Sequence, residues 1–198
     1  MNNNNSKDKC IYSNDIPQRY SWVCFRTCHI YLIVAILFFL CKQTILKILG
    51  GFMLGLYLTS FMYWKDPNDH SVAHRVDKVM VYAAIIFSTY AMYYTSTLVL
   101  TIWLVIISLC GIVYTVNEVL YHYQVCVPNN ILKSNPEYEI PNKQTGARYF
   151  SLEPTWCQTE EREYAYYRYT LTHGIGVHLL TGGIAGLSIA FICLFHYQ

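Results

Sequence analysis

Asp69-His70-Ser71-Val72-Ala73-His74-Arg75-Val76-Asp77-Lys78 is a polar decapeptide that opens directly into the apolar run Val79 to Thr97. On a helix of about 3.6 residues per turn, His70, His74 and Asp77 fall at i, i+4 and i+7 and share one face. That face is two imidazoles and a carboxylate. Asp69 suits the N-cap of such a helix, where its side chain would bond the free amides of the first turn. A second pair, His173 and His178, stands at the mouth of the last apolar run. The reading of the chain turns on whether the two mouths meet.

Around this stretch the sequence is that of a membrane protein. Of its 198 residues, 54% are hydrophobic and 13% charged, whereas a soluble domain carries about 25% charged residues. The apolar residues gather in runs of membrane-spanning length. These predict an all-α, multi-pass transmembrane helical bundle of about five spans, at 22–41, 44–64, 79–94, 98–116 and 173 to about 195. A polar tail, 1–21, precedes them, and a long polar loop, 117–172, separates the fourth from the fifth. Spans three and four are divided only by Thr95-Ser96-Thr97, without Gly or Pro. A single helix of their combined length would overshoot a bilayer core of about 30 Å, so a hairpin is expected. Gly51 with Gly55, and Gly182 with Gly186, have the small-xxx-small spacing of close helix contacts. Tyr57, Tyr63 and Trp64 fall in the far part of span two, as aromatic residues at a membrane interface do.

The Asn-rich start, Met1 to Lys9, has no apolar core behind it, reads as disordered, and is neither a signal nor a transit peptide. Asn4-Asn5-Ser6 matches a glycosylation sequon that only a lumenal location would use. The loop holds four prolines and charges of both signs, and is too long for a simple connection, so it is expected to carry local structure or a surface for a protein partner. Its end, from Thr159 to Arg168, reads as a short capped helix at the interface or leading into the membrane. The eight cysteines include no CxxC pair. Cys41, Cys110 and Cys193 read as small core residues, and only Cys126 and Cys157 share a polar segment.

Orientation follows from the basic residues. With the N-terminus inside, the inner segments hold Arg19, Arg26, Lys65, Arg75, Lys78, Lys133, Lys143, Arg148, Arg162 and Arg168 as well as Lys7 and Lys9, and the outer ones only Lys42 and Lys47. The N-terminus is therefore expected in the cytosol and the C-terminus in the lumen or outside the cell. The loop is then cytosolic and its cysteines reduced. A net charge of +2 without any Lys/Arg block excludes nucleic acid as a partner.

This orientation gathers the end of span two and the starts of spans three and five at one face. His70, His74, His173, His178 and Asp77 then share a depth, and imidazoles with a carboxylate are the usual ligands of Zn2+. The same side chains also suit a solvated interface, and Asp77 suits a pairing with Arg75 or Lys78. His178, deeper in an apolar run, needs a partner or a cavity. His29, His122 and His196 are isolated and read as interfacial. One spacing opposes a metal: His173 and His178 lie about 140° apart on a regular helix. A π-bulge at Gly174 and Gly176 would close that angle.

Ser60-Phe61-Met62-Tyr63, then Arg75-Val76-Asp77-Lys78 leading into Val81 to Tyr90, and finally Thr172-His173 with His178, resemble the hemolysin-III-like branch of the CREST superfamily, which includes alkaline ceramidases and the adiponectin and progestin receptors. The resemblance covers about half of the chain. It implies a zinc site near the cytosolic end and, in ceramidase-like members, hydrolysis of a membrane lipid amide or ester. In that reading Asp77 orients the attacking water or acts as general base, and Ser60 donates to the oxyanion. The chain departs from the pattern in three ways. Trp64 stands where the second-helix histidine belongs, His173 and His178 replace an HxxxH pair, and five spans replace seven. The competing expectation is a non-enzymatic multi-pass protein whose tyrosine-rich loop binds a partner.

Overall fold

The computed structural model describes residues 10–11, 16, 18–67, 71–125, 127–128 and 162–196. The structure is helical, apart from an antiparallel pairing of Cys10–Ile11 (β1) with Val127–Pro128 (β2). The helices are α1 (Gln18–Thr27), α2 (His29–Leu40), α3 (Thr44–Lys65), α4 (Val72–Thr95), α5 (Thr97–Val125) and α6 (Arg162–His173). The last continues as a π-helix, π1 (Gly174–Leu187), and ends as α7 (Ser188–His196). Four stretches are long and apolar enough to cross a membrane: Tyr20–Leu40, Thr44–Lys65, Thr97–Tyr121 and Tyr166–Phe195. The protein is thus a multi-pass integral membrane protein. Between the second and third of these stands α4, whose 24 residues have the length but whose polar opening and tyrosines make it less apolar. It lies along α3, with Phe52 stacked on Phe87 at 4.5 Å between ring centroids.

With α1 and α2 counted as one rod, and α6, π1 and α7 as another, successive rods run antiparallel. The entry end of the bundle therefore collects the start of α1, the end of α3, the start of α4, the end of α5 and the start of α6. Hydrogen bonds across that end fix the arrangement: Asn117 Nδ2 donates to the Tyr169 carbonyl at 3.0 Å, and Cys24 Sγ to that of Thr170 at 3.0 Å. An aromatic cluster of Tyr20, Tyr63, Trp64, Tyr121, Tyr166 and Tyr169 packs there with Ile16 and Cys24. Trp64 is only 2% exposed, so it is a core residue and not the interfacial anchor its position suggests. Much of the polar sequence is helical: Asn117 to Val125 prolongs α5, and Arg162 to Thr172 leads into the last span. Residues 129–161, with Cys157, and the Asn-rich start lie outside the described residues, as do Cys126 and Asn68 to His70.

Both turns flanking α4 are made by serine. Ser71, in extended conformation, caps α4 by accepting from the His74 amide at 3.1 Å, so the observed cap is Ser71 where Asp69 was expected. Ser96 ends α4 in extended conformation and its Oγ accepts from the Val99 amide at 3.2 Å, starting α5. One residue thus breaks the helix without Gly or Pro. The expected hairpin is present, because Trp103 Nε1 donates to Thr89 Oγ1 at 2.8 Å, joining positions equally far from Ser96 on either arm.

The two small-residue pairs have different fates. A methyl group on Gly182 would stand 2.5 Å from Ile30 Cγ2, and one on Gly186 2.9 Å from Val34 Cγ2, so both glycines seat π1 against α2. Gly55 meets Met80 of α4, whereas Gly51 faces open space. Gly182→Ala is therefore expected to destabilise the protein by about 1–3 kcal/mol through overpacking. Gly51→Ala should be neutral or stabilising by up to about 1 kcal/mol, from helix propensity alone. Thermal unfolding in detergent measures both; equal behaviour of the two variants would contradict this packing.

Candidate functional site

The bundle encloses a cavity of about 390 Å³, within the range of about 300–1,000 Å³ usual for small-molecule sites. It follows α3 from Leu49 to Trp64, about 22 Å of helix axis at about 1.5 Å per residue. Its deep part is apolar, with Phe38, Met53, Met92, Trp103 and Ile189 on its walls. Most of its polar groups stand toward the entry end, with Ser88 and Thr181 deeper.

Asp77 is the centre of one polar group. It is 8% exposed, and its Oδ1 accepts from Ser60 Oγ at 2.7 Å and from Thr59 Oγ1 at 2.9 Å. The neighbouring hydroxyls of α3 hold the carboxylate of α4 in one orientation and leave Oδ2 for a further donor. A buried carboxylate requires such partners. Neither of the expected basic partners supplies them, since Arg75 and Lys78 are both exposed.

His178 forms the second polar group. Thr27 Oγ1 donates its single proton to the backbone carbonyls of Val23 and Cys24, at 2.9 and 3.3 Å. It must then accept from His178, so the Nδ1–H of His178 donates to Thr27 at 2.9 Å. This fixes the tautomer and leaves Nε2 with a lone pair. A turn further along, Tyr31 donates to Thr181 Oγ1 at 2.8 Å, because Thr181 spends its own proton on the Val177 carbonyl.

The π register removes the spacing problem. In a helix closed by i→i+5 hydrogen bonds, residues five apart stack on one face, and the ring centroids of His173 and His178 are 5.2 Å apart. Glycines at 174 and 176 admit this path: side chains there would strike Val23 of α1 and Val113 of α5. The indole of Trp64 packs beside both imidazoles, at 5.0 Å from His173 and 6.2 Å from His178 between ring centroids.

Ser60, Asp77, His74, His173 and His178 all line this one cavity. How they are grouped decides what they can hold. Catalytic zinc takes three protein ligands, and among the described residues no three His, Cys, Asp or Glu side chains are placed to hold an ion. His74 instead stacks on Tyr63, with centroids 4.6 Å apart and planes at 11°. His70 precedes α4 and lies outside the described residues. His29, expected to be isolated, packs among Phe25, Tyr57 and Phe61.

Several contributors are invisible to motif reading. Thr27 and Thr59 look like ordinary helical threonines, and only adjacency to Ser60 hints at Thr59. Ser88 Oγ and His173 Nδ1 are buried on the cavity wall without a hydrogen-bond partner among the described residues. Such atoms call for a partner from a cavity occupant or water. Across from His173, Tyr169 donates to Glu118 at 2.6 Å, and both also line the cavity.

Interhelical hydrogen bonds in membrane proteins contribute about 0.6–2 kcal/mol each, so removing both at Asp77 should be measurable. Asp77→Ala is expected to lose about 1–3 kcal/mol and Asp77→Asn, which keeps an acceptor oxygen, clearly less. Equal unfolding temperatures for wild type and both variants in detergent would show that Asp77 does not anchor this end of α3 to α4. Comparison of the chain with protein-family models, with curated proteins and with solved structures finds no match.

Proposed function

We propose that this membrane protein binds one single-chain lipid inside its bundle, the chain in the apolar channel and the polar group among Ser60, Asp77 and His178. The observation that carries this reading is the shape and polarity of the cavity. A volume of about 390 Å³ drawn out along about 22 Å has room for a hydrocarbon chain, about 4 Å across at van der Waals contact. Two buried wall atoms, Ser88 Oγ and His173 Nδ1, lack protein partners among the described residues. Asp77 Oδ2 and His178 Nε2 are acceptors, which suits a head carrying hydroxyl or amide protons. The lipid's chain loses contact with the rest of the leaflet only by exchanging it for Phe38, Met53, Met92 and Trp103.

Protein purified in mild detergent is expected to carry a long-chain lipid, released and identified by mass spectrometry. Ala84→Leu, at a wall position 2% exposed, should lower its occupancy about tenfold, the effect of about 1.4 kcal/mol. Monodisperse, stable wild type that retains and rebinds no long-chain lipid would sink the reading.

A second reading is favoured by the pairing of His173 and His178 on the wall of the cavity that Ser60 and Asp77 also line. It is the one the resemblance implies, a zinc-dependent amide or ester hydrolase of the CREST type. The described residues supply two adjacent imidazoles without a third ligand, so no catalytic step is assigned to a metal. Elemental analysis of protein purified without chelator is expected to find zinc well below stoichiometric. One zinc per chain that disappears in His178→Ala would establish the hydrolase reading instead. Both readings place the N-terminus and the entry end in the cytosol, by the excess of Lys and Arg there. The polar stretch 117–172 is proposed as the contact for any protein partner.

A further inference from the structure

We infer that lipid enters the cavity sideways, through a portal between α4 and α5 that opens to the surrounding leaflet. This rests on the lipid-binding reading and adds the route. Most of the residues that line the cavity are buried or half-buried. The exposed ones all belong to two short stretches: Lys78 and Tyr82 on α4, and Gly111, Tyr114 and Thr115 on α5. Tyr82 is 65% and Tyr114 37% exposed.

The two stretches face each other. Counted from Ser96, Lys78 to Tyr82 and Gly111 to Thr115 lie at the same depth on opposite arms of the hairpin. Near its turn the hairpin is held shut by the bond from Trp103 to Thr89 at 2.8 Å. The portal lies between these two exposed rims, with the cavity behind them. Gly111 stands on the α5 rim, and a methyl group added to it would meet nothing within 4 Å.

The other route, along the bundle axis from the entry end, is occupied by the aromatic cluster of Tyr63, Trp64, Tyr121, Tyr166 and Tyr169. A lateral opening also spares the chain any passage through water. The tail slides from hydrocarbon of the leaflet into hydrocarbon-like walls, and the head comes to rest where the polar groups stand. The occupant is therefore a single-chain lipid taken from the membrane, not a water-borne solute.

The test is the rate at which a long-chain fatty alcohol carrying a diazirine on its chain, supplied in phosphatidylcholine vesicles with the reconstituted protein, labels cavity peptides containing Met53 or Met92. Gly111→Trp plugs the portal, Thr115→Trp plugs it from the same rim, and Gly51→Trp places the same bulk on an exposed site away from the cavity. Labelling in Gly111→Trp and Thr115→Trp is expected to slow about tenfold or more, with Gly51→Trp within about twofold of wild type. Wild-type rates in both plugged variants, with the cavity still labelled, would overturn the portal and leave the lipid site standing. Absence of cavity labelling in wild type would overturn the lipid site and the portal together.

Discussion

The hydrogen-bond register of the last helix is the constraint on which the rest of the site depends. Over Gly174 to Leu187 it closes i→i+5, a wider and less favoured winding than the α-helix. Glycines on its inner face let it lie against α2 and α5 closely enough for packing to compensate. Side-chain donors from α1 and α5, Cys24 and Asn117, engage the carbonyls just ahead of the register change. The result is a wall of the cavity on which His173 and His178 meet.

Opposite that wall, α3 and α4 are tied by a carboxylate accepting from two adjacent hydroxyls. In a hydrocarbon surrounding, a carboxylate and two hydroxyls are costly alone and acceptable together. Their pairing sets the rotation of α4, which in turn sends Tyr82 and Lys78 outward and Ala84 and Ser88 inward. The polar end and the apolar channel are thus two consequences of one helix orientation. On the proposed lipid-binding reading, the two halves of the site match those of an amphiphile, and specificity resides in the few polar groups.

Legibility varied with how local the deciding interaction is. Asp77 was recognisable on the helix face that opens a span and Ser60 only through the resemblance, and the structure joins them at 2.7 Å. The shared face of His70 and His74 assumed a helix starting ahead of Val72; the cap is at Ser71, and the stacking of His74 on Tyr63 needed coordinates. Trp64 marked a departure from the resembling family, yet its role beside both imidazoles needed coordinates. Thr27 acquired meaning only from a partner 151 positions away. Residues with one hydroxyl carry no periodic signal, so no reading of spacing would have selected it.

By itself the sequence determined that the chain crosses a membrane several times as helices, that the arms around Ser96 fold back, and which polar residues share a level. Those follow from hydrocarbon thickness, run length and the obligation to satisfy backbone groups internally, all of which act along the chain. Only the tertiary structure decided that the last helix winds in the π register, that Trp64 lies beside the histidines, and that Gly111 stands in open space at the rim of the cavity. Each of these depends on how side chains distant in sequence fill or leave space between helices. Excluded volume between helices has no counterpart in the order of residues along one of them.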